Sequence, residues 1–363
     1  MRILIDIGHP AHVHLFRNFA LEMERKGHEL LFTCRNKEFE VALLKYYGFR
    51  YISFGKKYKS IVGKLWGLLK FDFKEWVACR KFKPDILLSH GSMYAAHAAW
   101  LINRPHISFE DTFNFEQIRL YKPFTDTILV SDYDNPLKGK RNVISYAGYH
   151  ELAYLHTNLF IPDKSILKEL GVEENEKYVI VRFVSWNATH DINHKGISFE
   201  NKLKAVNEFT KYAKVFISSE GELPNELKQY QIKLLPYRMH QAISFATLLY
   251  GESSTMSEEA AMLGVPSIYL HTGNILYTQE LENKYHLMYN YTESGEDQNK
   301  SIRKGIGILE MDDNKIHDEW IKKRDTMMIG KIDVTAFLVW FIENYPKSKK
   351  IMKENPNYQN RFK

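Results

Sequence analysis

The chain of 363 residues is long for one core and comfortable for two domains of about 150 to 200 residues each. Hydrophobic residues at 44% and charged residues at 26% are ordinary for a soluble globular protein, and a net charge of +6 without a dense basic stripe excludes a nucleic-acid binder. Cys34 and Cys79, the two cysteines, form neither a disulfide framework nor a metal-binding spacing and indicate a reducing compartment. No apolar run approaches a membrane span, and the first strand begins at Arg2 with no room for an export signal, so a cytoplasmic protein is expected.

Arg2 to Ile7 (RILIDI) reads as a buried parallel strand, followed by the loop Gly8-His9-Pro10-Ala11-His12 and a helix from Val13 to Lys26 closed by Gly27. His28 to Thr33 is the second strand. The opening is Rossmann-like but lacks GxGxxG, so no dinucleotide is indicated, and Gly8, His9 and Pro10 occupy the position where such a fold binds its ligand, with Gly8 and His12 as candidate substrate contacts. From Lys56 to Lys83, nine basic and two acidic residues interleave with Leu65, Trp66, Leu68, Leu69, Phe71, Phe73 and Trp76. Such a helix suits the anionic face of a membrane, and equally an ordinary helix packed on the sheet. Strands are expected at Asp85 to Ser89, Arg104 to Phe109 and Thr127 to Val130, giving an α/β first domain over 1–155.

A second α/β series follows over 156–332, with strands at Tyr178 to Phe183, Val215 to Ser218, Ile232 to Leu235, around Leu248 and at Ser267 to Leu270, and helices at Glu200 to Tyr212 and Gln279 to Tyr285. A helix over 333–345 is expected to cross back to the first domain, and a frayed basic tail to occupy 346–363. The most informative stretch is Leu248 to Leu270. Strand, Gly251-Glu252-Ser253-Ser254-Thr255, helix, Gly264 and strand succeed one another, so unpaired N–H groups at a helix start could meet a phosphate. A carboxylate one turn on, Glu259, could accept from a ribose. The same residues also make an ordinary helix cap with first-turn acids.

The run ESSTMSEEAAMLGVPSI resembles the nucleotide-sugar motif of GT-B fold glycosyltransferases and non-hydrolysing UDP-N-acetylglucosamine 2-epimerases. With IDIGHPAHVHLFRNFALEMERKGHELLFTCR, the whole chain looks closest to the DUF354 family. The resemblance implies two Rossmann-like domains with parallel sheets facing each other across a cleft. It places Ser253, Ser254 and Thr255 on a diphosphate, Glu259 on the ribose, and Leu235 and Tyr237 beside the base; Arg182 could offer its guanidinium to the diphosphate. Glu110 and Glu116 match epimerase acids, whereas Ser92 replaces the Asp of an HGD run and Arg182-Phe183-Val184-Ser185-Trp186 lacks the His-Arg motif. Transfer is therefore expected over epimerisation, with His9, Glu110 or Glu116 handling a proton. No cofactor or metal is expected, because a helix N-terminus and Arg182 would stabilise the leaving diphosphate. The expected partners are a nucleotide-sugar, UDP-linked, and a glycan or lipid-linked acceptor of polysaccharide biosynthesis, with peripheral membrane contact through 56–83. A 2-epimerase and a non-catalytic nucleotide-sugar-binding protein are the alternatives.

Overall fold

The computed structural model describes residues 1–36, 39–56, 61–184, 196–219, 221–273 and 275–363. They form two compact units, Met1–His156 with Lys331–Lys363, and Thr157–Gly330.

In the first unit, apolar runs too short for helices become strands, and the intervening amphipathic runs become the helices that cover them. The order is β1 (Arg2–Ile7), α1 (Pro10–Arg25), β2 (Glu29–Cys34), α2 (Glu40–Tyr46), β3 (Tyr51–Ser53), α3 (Ile61–Phe82), β4 (Ile86–His90), α4 (Met93–Leu101), β5 (His106–Phe109), α5 (Phe115–Tyr121), β6 (Thr127–Ser131), β7 (Val143–Tyr146) and α6 (Leu152–Leu155). All seven strands are parallel, in the order β3-β2-β1-β4-β5-β6-β7. The chain winds outward from β1 in one direction and from β4 in the other. Their loops therefore diverge at the carboxyl edge and open a crevice between them.

A buried polar network braces that edge. Asp6 near the end of β1 accepts from Arg35 Nη1 at 2.5 Å and from Ser92 Oγ, and Thr33 Oγ1 lies 3.0 Å from Asp6 and 2.9 Å from Glu75 Oε1. Burial, reinforced by the Asp6 charge, raises Glu75 well above the ordinary carboxyl range, so it serves as a neutral acid beside Thr33.

The second unit contains α7 (Ser165–Leu170), β8 (Tyr178–Phe183), α8 (Phe199–Phe209), β9 (Lys214–Ser219), α9 (Met239–Ser244), β10 (Leu248–Gly251), α10 (Ser254–Leu263), β11 (Ser267–Leu270), α11 (Leu276–Asn283), β12 (Met288–Tyr291), α12 (Gly295–Leu309) and α13 (Asp313–Met328). Its five parallel strands run β12-β11-β10-β8-β9, so its crevice falls between β8 and β10. The strand expected at Ile232 to Leu235 does not form. Gln231 makes a single bridge to Ile217, and the chain then turns into Pro236–Arg238.

Residues 331–363 complete the first unit with α14 (Val334–Glu343) and α15 (Lys347–Glu354). Thr335 donates to the Ala153 carbonyl at 2.7 Å, and Phe337 stacks on Tyr146 at 5.9 Å. The expected frayed tail is instead ordered structure. Tyr358 and Phe362 pack on Trp340 at 4.8 and 5.5 Å, and Gln359 Oε1 accepts from Ala147 N at 2.6 Å. The aromatic residues outweigh the polar composition.

His106 is buried between Ser89 Oγ at 2.9 Å and Thr125 Oγ1 at 2.8 Å. Burial, with the nearby His97 charge, depresses it to about 3. Its folded pKa lies below the unfolded value near 6.5, so its contribution is full above that value and is lost as pH falls toward about 3. His106→Gln should be less stable at neutral pH. Between pH ~6 and ~4 its urea-measured stability should fall less steeply than that of the parent, by up to about 1.4 kcal/mol per pH unit, the slope of one proton.

Candidate functional site

The loop after β1 is fixed by its own imidazoles. His9 is the N-cap of α1, its Nδ1 accepting from Ala11 N at 3.2 Å, and Pro10 takes the first helical position, where a missing N–H costs nothing. His12 Nδ1 accepts from Gly8 N at 3.2 Å, which places the proton of the neutral ring on Nε2. His12 is therefore a donor in its neutral form and no base.

Three further side chains converge beside it. His90 ends β4, and Gly91 turns the chain away at φ +60°, a conformation that favours glycine. Asp111 follows β5. It accepts from His90 Nε2 at 3.0 Å and from His150 Nδ1 at 2.9 Å, while His12 and His90 stack with centroids 4.5 Å apart. Among the described residues, His150 Nε2 is buried without a hydrogen-bond partner.

The charges in this cluster separate. Burial opposes protonation of His90, but the Asp111 carboxylate overrides it and lifts the ring to about 9. Burial and then the His90 charge drive His12 well below its ordinary value. Burial would raise Asp111, yet His150 and His90 hold it well below the usual carboxylate range. At neutral pH the cluster thus holds a neutral His12, an imidazolium at His90 and a carboxylate at Asp111. His90, Asp111 and His150 also offer one ligand atom each within 4.8 Å, a set that a divalent cation could take in exchange for these hydrogen bonds.

The other first-unit residues singled out in the sequence lie differently. Glu110 is buried and anchors the turn after β5: Oε1 accepts from Thr112 N, Thr112 Oγ1 and Phe113 N at 2.8 to 3.0 Å, and Oε2 from Tyr121 OH at 2.5 Å. Glu116 is an exposed first-turn acid of α5, its backbone N–H held by Asn114. Ser92 caps α4 while donating to Asp6. His90 and His150 were not among the expected site residues, nor was Asp111 among the acids matched to the epimerases. His90, Asp111 and His150 stand one, two and four residues beyond the strand-like runs ILLS, HISF and VISY, and that position toward a sheet's carboxyl edge is the signal that could have found them.

In the second unit, Gly251 ends β10 so close to β8 that a Cβ would lie 2.0 Å from the Arg182 carbonyl oxygen. Ser253 is the N-cap of α10, accepting from Met256 N at 3.3 Å, and Ser254 and Thr255 are half-exposed at the helix start. Glu252, a loop residue to which the sequence assigns no role, secures the loop by accepting from Val184 N at 2.7 Å and Ile197 N at 2.6 Å, with Lys202 at 3.3 Å. Arg182 Nη1 donates to Ser218 Oγ at 3.0 Å. Glu259 is buried and accepts from His240 Nε2 at 2.9 Å. Leu235 is exposed and Tyr237 half-exposed in the Pro236–Arg238 turn, whose Arg238 is engaged by Asp163 and Glu169. Ser185 and Trp186 lie outside the described residues.

The model of the family described as protein of unknown function DUF354 matches residues 1–325. The chain belongs to this family. The DUF354 chain is 25% identical over 334 residues to an uncharacterised protein of Methanocaldococcus jannaschii, covering 86% of this chain and 94% of that one. Among solved structures, it resembles S. aureus MnaA with UDP (TM-score 0.69, 12% identity, 96% and 97% of the two chains). It also resembles UDP-GlcNAc 2-epimerase from Neisseria meningitidis bound to UDP-GlcNAc (0.65, 15%, 88% and 94%). A third is the spinosyn rhamnosyltransferase SpnG complexed with spinosyn aglycone (0.58, 15%, 95% and 100%). The fold is GT-B.

Asp111→Asn removes the charge that holds the His90 proton, and an imidazole NMR titration should show the His90 midpoint falling from about 9 to below neutrality. Gly251→Ala should destabilise the second unit by at least about 3 kcal/mol in urea unfolding, because its Cβ meets backbone that cannot step aside.

Proposed function

We propose that this DUF354 protein is a glycosyltransferase that uses a nucleotide-sugar donor. The observation that carries the reading is the Asp111 carboxylate held between His90 and His150 at the crevice of the first sheet. Transfer to a hydroxyl needs a group that takes a proton, and a protein that only binds does not. With Nδ1–H given to Asp111, His150 keeps Nε2, which has no hydrogen-bond partner among the described residues, for the acceptor once the acceptor enters the crevice: the hydroxyl oxygen bonds to the anomeric carbon, its proton passes to Nε2, and the bond to the diphosphate breaks. His90 supplies a fixed positive charge beside the reaction, and His9 orients the loop as a helix cap. Glu110, with its acceptor positions taken by the turn, has a positioning role in this scheme.

The donor belongs to the second unit in this reading. The start of α10, with Ser253, Ser254 and Thr255, receives the diphosphate together with Arg182; Glu259, oriented by His240, accepts from the ribose; and the turn at Leu235 and Tyr237 borders the base. Structural relatives solved with UDP and UDP-GlcNAc support a uridine donor. The acceptor class is a glycan or lipid-linked saccharide in polysaccharide assembly.

Calorimetry with UDP, GDP, dTDP and CDP, and their sugars, tests the donor half. Micromolar binding of one nucleotide, weakened tenfold or more in Glu259→Gln with unfolding unchanged, is expected; no binding to any would end the nucleotide-sugar reading. In the presence of an acceptor, His150→Asn should keep donor affinity and lose turnover by 10² or more. Undiminished turnover would remove His150 from the chemistry. Solvent deuterium entering C2 of recovered sugar would identify an epimerase instead. Turnover should survive dialysis against EDTA; loss restored by a divalent cation would give the His90–Asp111–His150 set to a metal.

A further inference from the structure

Among the described residues, helix α3 has two apolar faces, and only one of them is covered. Gly67, Phe71, Glu75, Ala78, Cys79 and Phe82 are buried, and they recur on one side of a helix that turns by about 100° per residue. Trp66, Leu69 and Phe73 recur on the opposite side and are 62%, 63% and 61% exposed. A surface helix normally turns charge to the solvent, so three large apolar side chains on the outer stripe are left without the cover that their composition calls for.

The same stripe continues into positive charge. Arg80, two turns beyond Phe73, is exposed and helps to line a cavity of about 530 Å³ with Lys83, Arg104, Asn103, Leu101 and Pro84, a lining with three cations and no acid. Among the described residues none of Arg80, Lys83 and Arg104 has a carboxylate partner. This cavity lies at the amino edge of the first sheet, beside Pro84 and Arg104, which precede β4 and β5. It is therefore distinct from the histidine cluster at the carboxyl edge.

We propose that the outer face of α3 docks on an anionic phospholipid surface. Trp66, Leu69 and Phe73 enter the acyl boundary, the helix lies in the plane of the interface, and Arg80, Lys83 and Arg104 receive a phosphate headgroup in the cavity. An apolar stripe in register with unpaired cations matches a surface that offers hydrocarbon and negative charge side by side. No helix of the described residues is long and apolar enough to cross a membrane, so the contact is peripheral where it is made through helices. This inference does not depend on the transferase reading.

The test is co-sedimentation of the full chain with vesicles of phosphatidylcholine alone and of phosphatidylcholine mixed with phosphatidylglycerol, with sedimentation velocity on the free protein. Strong partition to the mixed vesicles is expected, weak partition to the neutral ones, and a steep loss with salt. Trp66→Ser with Leu69→Ser and Phe73→Ser should lower partition at least tenfold with an unchanged circular dichroism melt, as should Arg80→Glu with Arg104→Glu. Unaltered partition in the Ser variant would overturn the proposal. So would a parent dimer that the Ser variant converts to monomer, since a second copy would then be the occupant. Binding of inorganic phosphate without any partition to vesicles would likewise leave the cavity as a soluble-anion site.

Discussion

A single buried carboxylate, Asp6, holds together the edge of the first unit on which the candidate chemistry stands. It binds the Arg35 guanidinium after β2, lies beside the Thr33 hydroxyl and accepts from Ser92 at the start of α4. Three chain segments that diverge at the crevice are thereby referred to one point. A buried ion pair adds little to stability compared with apolar residues of the same shape, but removing one partner leaves an uncompensated charge, so the arrangement favours one geometry over its neighbours. The orientations of Gly8 and His90, just outside this network, follow from it. Arg35 also spans the aromatic face of Tyr94 at 4.9 Å, which fixes the guanidinium from a third side.

Outside the brace, Asp111 divides its two oxygens between two imidazoles. Because the carboxylate is half-buried and enclosed between the two rings, its charge acts through little solvent and separates the protonation states of rings that lie in contact. His12 and His90 stack, yet one is kept neutral and the other charged. Two like rings made unlike by their surroundings provide a donor and a cation from one residue type. The second unit achieves a comparable rigidity with backbone: Gly251 permits the close approach of β10 to β8, and Glu252 fastens the loop that leads to α10.

What could be read from the sequence was local. The opening strand, loop and helix, and the run from Gly251 to Gly264, are continuous segments whose turn and cap residues stand beside the periodic runs they terminate. The histidine cluster was not legible, because strand order alone brings residues 90, 111 and 150 together, and no spacing records strand order. Glu110 and Asp111 are adjacent acids after a strand, but only Asp111 meets the imidazoles; one residue further along the turn reverses the direction of the side chain. The β-rich run at Ile232 failed as a strand because its neighbours at β9 offered a single bridge. In α3 the apolar residues were plain, but only burial tells which of two apolar faces the sheet takes.

The first unit is made of two stretches of chain, with the whole of the second unit spelled out between them. On the ribosome the 157–330 unit can therefore close while the first sheet still lacks α14, α15 and the Gln359 side chain that receives the Ala147 N–H. Tyr146 and the backbone beside His150 must wait for that late-made segment, so the candidate proton-handling cluster is among the last parts of the molecule to acquire its final surroundings. Nascent chains would carry a finished second unit before they carry a complete first one, an order opposite to that of the sequence.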